Sequence, residues 1–213
     1  MFRALHILLL TLFLLAPAAE ATIVDLVVNG EFETPVVANG RWDHFANVPG
    51  WSSGESEIEL WAQGFYGSPT QGSDGNPTGQ HLELNWRSLN SVSQTFVVPA
   101  LLNTLAYFSF DAWQRSTSIG SYSVVGSLSG TLASSAINMN SSAWTANTSS
   151  FNVMPGETIT LTFTALTGNS ARSPHIDGVS FSVDAVPEPA SYALVGIGLL
   201  GLGFYRRRRS HQN

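Results

Sequence analysis

Thr158-Ile159-Thr160-Leu161-Thr162-Phe163-Thr164-Ala165 is the stretch that decides the fold class. Threonine and apolar residues alternate with a period of two, so one face of an extended strand meets solvent and the other a core, and no helical period competes. Working outward, similar strands are expected at Thr22 to Val28, Glu57 to Trp61, His81 to Trp86, Val92 to Val98, Leu105 to Trp113, Ser121 to Leu128, Phe151 to Val153 and Val179 to Val183. Pro49-Gly50, Asp74-Gly75-Asn76-Pro77 and Pro155-Gly156 punctuate them as turns. Short strands joined by Gly, Pro and Asn turns predict an all-β antiparallel sandwich of jelly-roll type. The Ser, Thr and Ala-rich stretch from Ser116 to Ser150 reads as strands with polar outer faces, because Tyr122, Val124 and Leu128 keep the alternation.

Both ends of the 213-residue chain read as targeting sequence. Arg3 precedes an apolar run from Ile7 to Leu15, and Ala19-Glu20-Ala21 offers small residues to a signal peptidase, so residues 1–21 are a signal peptide cleaved after Ala21. The β-sandwich domain is expected over 22–185. From 186 to 209 follow Pro187-Glu188-Pro189, an uncharged span from Ala190 to Tyr205, and Arg206-Arg207-Arg208-Arg209. The span is marginal for a single transmembrane helix, with Tyr192 and Tyr205 at its edges and the arginines staying cytoplasmic.

There is no cysteine to staple the domain. Thirteen carboxylates against four arginines leave residues 22–186 near −9, which disfavours nucleic acid and anionic lipid and suits neutral glycans or divalent cations.

The order of PEP motif, short glycine-rich span and terminal arginine run resembles the PEP-CTERM sorting signal. That resemblance implies recognition by an exosortase, a membrane enzyme that processes proteins near the PEP motif in Gram-negative bacteria making extracellular polysaccharide. It also implies an exported protein of the cell envelope, surface or extracellular matrix, held transiently in the inner membrane. Inside the domain, Val28-Asn29-Gly30-Glu31-Phe32-Glu33, Pro49-Gly50-Trp51, Gln80-His81-Leu82-Glu83-Leu84-Asn85, Ser93-Gln94-Thr95-Phe96 and Ile176-Asp177-Gly178-Val179-Ser180-Phe181 are together similar to galactose-binding-like jelly rolls. That superfamily includes many carbohydrate-binding modules. The resemblance implies that the first and last strands lie side by side, and that a structural calcium between them would use Glu33 and Asp177 with backbone carbonyls near Gly30. Glu31, on the same side of an extended strand as Glu33, is a third candidate ligand. Asp177 shares strand parity with Val179, Phe181 and Val183, so it is expected to point inward, where a carboxylate needs a partner; a hydrogen-bonded turn aspartate is the plainer alternative.

Aromatic faces stack on pyranose rings while polar neighbours bond the hydroxyls. Of the six tryptophans, Trp51 and Trp86 read as packing residues, whereas Trp61, Tyr66 and Trp113 are the surface candidates for a ligand. Catalytic signals are thin. Glu55, Glu57 and Glu59 could supply a carboxylate pair for glycoside hydrolysis but read as solvated surface, His44, His81 and His175 are scattered, and neither a nucleophile elbow nor a zinc spacing occurs. The expectation is a non-catalytic domain that binds extracellular polysaccharide or builds the exopolysaccharide layer of a biofilm; the alternative is a secreted glycoside hydrolase.

Overall fold

Alternation with a period of two produces two stacked antiparallel sheets, described by a computed structural model for residues 22–85, 88–99, 105–167 and 172–185. The signal segment, PEP motif, apolar span, arginine cluster and Trp86 lie outside the described residues. The strands are β1 (Thr22–Asp25), β2 (Trp42–Phe45), β3 (Ser52–Ser53), β4 (Ile58–Trp61), β5 (His81–Glu83), β6 (Ser91–Val97), β7 (Leu105–Gln114), β8 (Ile119–Gly126), β9 (Gly130–Ala136), β10 (Thr145–Asn152), β11 (Thr158–Thr167) and β12 (Pro174–Ala185). One sheet runs β10-β7-β12-β5-β4-β2 with β1 also on β12, and the other runs β3-β6-β11-β8-β9. Among the described residues no helix is long and apolar enough to cross a membrane.

The inner faces supply the core. Thr158 to Thr164 alternate with fully buried Ile159, Leu161 and Phe163, as the deciding stretch requires. Phe163 meets Phe110 edge to face at 4.9 Å between ring centroids, a geometry the ring quadrupoles favour. Trp51 packs on Phe32 at 5.1 Å and donates its indole N–H to the Asn29 carbonyl, which makes it a packing residue. The Ser/Thr/Ala stretch contributes β9 and most of β10, with Trp144 buried between them. Strands β2 and β3 were not expected. Each is short, and its loop setting hides any period.

The first and last strands do lie together: the Leu26 N–H donates to the Phe181 carbonyl, and the Phe181 N–H to the Asp25 carboxylate. Parity along β12, however, is broken. Between Asp177 and Ser180 the register against β7 shifts, and Gly178 takes φ +58°. A glycine in the left-handed region next to an extra residue is a β-bulge, and it turns the side chains past it to the other face. Asp177 therefore does not share a face with Val179, Phe181 and Val183. It stands opposite Asp111 on the outer side of the seven-stranded sheet, where it is still only 2 % exposed. Gly30 fits against the bulge: the Val179 N–H donates to its carbonyl, and a Cβ there would lie 1.9 Å from the Val179 carbonyl oxygen.

Candidate functional site

On the outer face of the seven-stranded sheet, chemistry-bearing residues line up across five strands. His44 of β2 is opposite Glu59 of β4, Glu59 opposite Glu83 of β5, Glu83 opposite His175 of β12, and His175 opposite Trp113 of β7. A second row sets Trp42, Trp61 and His81 side by side. Residues directly opposite in a sheet have Cβ atoms about 4.5–5.5 Å apart, so each row is a chain of contacts. Each member is outward because its strand neighbours, Ile58 and Leu60, Leu82 and Leu84, and Ile176, face the core.

Although outward, the centre of this face is closed. Glu59, Trp61, His81, Glu83, Trp113, Trp144 and His175 are all buried. Trp61 and Trp113, expected at the surface, are 3 % and 2 % exposed, because other parts of the chain roof the sheet. Trp144 packs on His81 at 5.2 Å and donates its N–H to the Pro69 carbonyl. Phe65 and Tyr66, on a single 3-10 turn, reach Trp61 at 5.0 and 6.0 Å. The Arg115 guanidinium lies 5.4 Å from the Trp61 ring and 5.2 Å from that of Tyr66, in cation–π range of both. Tyr66 itself stays exposed.

Inside this enclosure the polar groups are poorly matched. The Trp61 indole N–H donates to Glu59 at 2.6 Å, and His44 Nε2 sits 3.3 Å from the other Glu59 oxygen. Glu59 and Glu83 stand opposite each other on adjacent strands, close enough for their charges to repel. His175 Nε2 is 3.9 Å from Glu83, beyond hydrogen-bonding distance. Both ring nitrogens of His81 and of His175 and both carboxyl oxygens of Glu83 are buried without a protein partner to satisfy them at bonding distance. Burial, set against the Trp61 bond and Arg115, pushes Glu59 up to about 7. Burial and the neighbouring Glu59 push Glu83 up to about 9. Burial holds His81 down to about 3, and burial with His81 and Arg115 nearby holds His175 well below its ordinary value. At neutral pH both imidazoles are neutral and the carboxyl pair retains a proton, as like charges in contact require. Two expectations are thereby corrected. Glu59 is not solvated, because the roof over the outer face covers it, and the three histidines are not scattered, because register gathers what sequence separates.

The residues expected to hold calcium lie elsewhere, Asp177 on β12 and Gly30, Glu31 and Glu33 in a turn beyond β1, where positive φ at Asn29 and Phe32 breaks the extended strand expected to align Glu31 with Glu33. Asp177 accepts from the Gly178 N–H at 2.9 Å, Glu33 accepts from the Gln80 N–H at 2.7 Å, and the Gly30 carbonyl is used by Val179. Burial first, then Glu31, raise the Asp177 carboxyl well above its usual range, with Glu33 and Asp111 adding to the effect. Partial burial and the same carboxylates raise Glu31. Among the described residues no three His, Asp or Glu side chains converge as a ligand set. A cation here would have to take much of its shell from carbonyls and water, which calcium accepts.

Comparison with known proteins adds two findings. Residues 185–209 match the PEP-CTERM protein-sorting motif. No curated protein matches the chain. Among solved structures, "TmCBM61 in complex with beta-1,4-galactotriose" is 13% identical, covers 74% of this chain and 97% of its own, and superposes with a TM-score of 0.51. A CBM4 structure is 20% identical over 74% of this chain and 99% of its own, with TM-score 0.42. The CBM22-1 xylan-binding domain from Paenibacillus barcinonensis Xyn10C is 14% identical over 81% and 99%, with TM-score 0.43. The first likeness supports the fold alone, an antiparallel β-sandwich of jelly-roll type.

The buried groups set the pH response of stability. Glu59 and Glu83, raised from 4.5, hold protons in the folded state that the unfolded chain gives up, so their contribution is lost as pH rises through about 7 and about 9. His81, depressed from 6.5 to about 3, opposes this on the acid side, where the unfolded chain takes up the proton. The melting temperature of the domain is expected to be highest between about 4.5 and 6.5 and to fall steadily toward pH 9, with the alkaline loss reduced in Glu59→Gln. A melting temperature that climbs from neutral pH toward 9 would contradict the buried pair.

Proposed function

We propose that the protein is a PEP-CTERM-sorted surface protein whose β-sandwich binds a neutral glycan on the outer face of the seven-stranded sheet, without catalysing its cleavage. The observation that carries this reading is the set of unpartnered nitrogen and oxygen atoms on His81, Glu83 and His175, enclosed by Trp61, Trp113 and Trp144. Sugar hydroxyls both donate and accept, which suits neutral imidazoles and a protonated carboxyl, while indole faces suit the C–H side of a pyranose. Tyr66 and Arg115 form the outer part of the roof, so a ligand enters by displacing the Arg115 stack from Trp61.

A glycosidase needs two carboxyls about 5–9.5 Å apart so that they flank the scissile bond. Glu59 and Glu83 are cross-strand neighbours buried beneath the aromatic roof, which speaks against their flanking a scissile bond.

A glycan array probed with residues 22–185 checks the binding reading. Retention of uncharged oligosaccharides is expected, reduced about tenfold in Tyr66→Ala and more in Trp113→Ala, with melting temperature recorded for each. No retained glycan, or equal retention by the exposed-site variant Tyr66→Ala, would overturn it.

The tail supports a second part of the proposal: an exosortase removes the segment beyond the PEP motif and leaves the domain at the surface, after inner-membrane anchoring with Arg206 to Arg209 in the cytoplasm. Mass spectrometry of the extracellular form is expected to yield no peptide containing Arg206 to Asn213, and finding that peptide would refute processing.

The third part is a structural calcium held by Asp177 with Glu33, Glu31 and the Gly30 carbonyl. Its support is an Asp177 carboxyl raised first by burial and then by the neighbouring Glu31, Glu33 and Asp111, in a domain without disulfides. Bound to the folded state alone, calcium at a hundredfold excess over its dissociation constant adds about 2.7 kcal/mol. The melting temperature is expected to drop on chelation in the wild type and not in Asp177→Asn. Equal wild-type values with calcium and with chelator would remove the site.

A further inference from the structure

One tryptophan on the functional face is left over by the enclosed cluster. Among the described residues Trp51, Trp61, Trp113 and Trp144 are buried, whereas Trp42 of β2 is 44 % exposed. It stands in register with Trp61 of β4 and, one strand further, with His81 of β5, so it belongs to the same outer face. The indole is held in place: it meets the His44 ring at 4.8 Å and an angle of 70°, and His44 Nε2 lies 3.3 Å from the Glu59 carboxyl. A large apolar ring is thus presented to water at the margin of a cluster in which His81, Glu83 and His175 hold buried polar atoms without partners.

The surroundings of Trp42 do not suit a protein partner. Its chain neighbours Arg41 and Asp43 are exposed and charged, whereas the centre of a protein interface is depleted of charge and built from contiguous apolar surface. A single oriented ring among polar groups suits the C–H side of a pyranose, whose hydroxyls remain hydrated or bonded at its rim.

The two ends of the cluster also differ. Toward β7 the face is shut: Trp113 donates its indole N–H to the Ser141 carbonyl at 3.3 Å, the Gln114 N–H donates to the Asn140 carbonyl, and Trp144 packs over His81 at 5.2 Å. Toward β2, the edge strand of the sheet, Tyr66 and Trp42 are both exposed. A chain held at the cluster can therefore continue over Trp42 and not over Trp113. Neighbouring strands lie about 4.8 Å apart, so the step from His81 to Trp42 is about 10 Å, a length that two or three sugar residues cover.

We propose that Trp42 is an open second subsite for the same neutral glycan, stacking on a sugar residue outside the enclosed cluster so that the chain leaves over the β2 edge. The inference rests on the glycan reading of that cluster and deepens it by specifying the ligand, an extended oligosaccharide rather than a lone sugar. Because His44 already orients the indole, a sugar stacking there orders little that was free, and lengthening the chain as far as Trp42 strengthens binding.

Titration calorimetry with the di- to hexasaccharides of the cello-, xylo-, manno- and laminari-series tests the subsite. Residues 22–185 suffice, because Ile23–Asp184 forms one unit with its own core. In at least one series the tetrasaccharide is expected to bind about tenfold more tightly than the disaccharide, and this ratio is the readout, since a general loss of folded protein cancels from it. The ratio is expected to fall to about one in Trp42→Ala and to survive in Trp42→Tyr. It is expected to be unchanged in Tyr107→Ala, which removes an exposed aromatic from β7. No binding in any series overturns the glycan reading and the subsite with it. Disaccharide binding with no gain on lengthening, or a gain that Trp42→Ala keeps, overturns the subsite and leaves the glycan reading standing. A dimer in sedimentation that Trp42→Ala dissociates also overturns the subsite, because the indole is then a contact between copies.

Discussion

The contact between Glu59 and Glu83 is the constraint around which the functional face is arranged. Antiparallel register puts two carboxyls opposite each other on adjacent strands, and the roof takes both out of water. Such a pair is tolerated only if a proton is shared and lone pairs are satisfied. The Trp61 indole N–H, the His44 ring and the nearby Arg115 charge meet part of that demand. His81 and His175 cannot meet it by becoming cations, because burial holds both neutral. The face thus carries polar capacity in excess of what the protein itself uses. A folded protein keeps such unsatisfied groups at a cost, and binding sites are where that cost is commonly kept.

The bulge at Gly178 makes the rest of that face possible. By inserting one residue between Asp177 and the apolar run Val179, Phe181 and Val183, it lets β12 present His175 and Asp177 outward while its later half fills the core. Gly30 is what lets the first strand follow, since any side chain there would collide with the Val179 carbonyl. The same glycines thus couple the first-to-last strand junction to the side-chain pattern of the candidate site.

The all-β class was legible in the sequence because a period of two in Thr158 to Ala165 has a single physical reading, and the adjacency of first and last strands followed from the resemblance. The tail was legible because three features in fixed order are specific. What sequence reasoning missed was lateral. His44, Glu59, Glu83, His175 and Trp113 are spread over most of the domain, and only register, which no local pattern encodes, makes them one row. A signal was present in His81-Leu82-Glu83-Leu84-Asn85, where polar residues alternate with buried leucines and so share one face. Asp177 was misplaced because parity counting assumes an unbroken strand, although the Asp-Gly pair inside β12 marks where it breaks. Trp61 and Trp113 were assigned to the correct outer side but thought exposed, since a roof made by distant loops leaves no mark on the strands it covers.

The outer face of the seven-stranded sheet is rich in buried aromatic and ionisable groups. The account depends most on the enclosed, proton-sharing state of Glu59 and Glu83. Carboxyl carbon chemical shifts of isotopically labelled glutamate, followed against pH and assigned through Glu59→Gln and Glu83→Gln, measure that state directly. The account requires the pair to titrate in two steps near about 7 and about 9. Two carboxyls titrating together near the ordinary 4.5 would show an open, solvated face and contradict it.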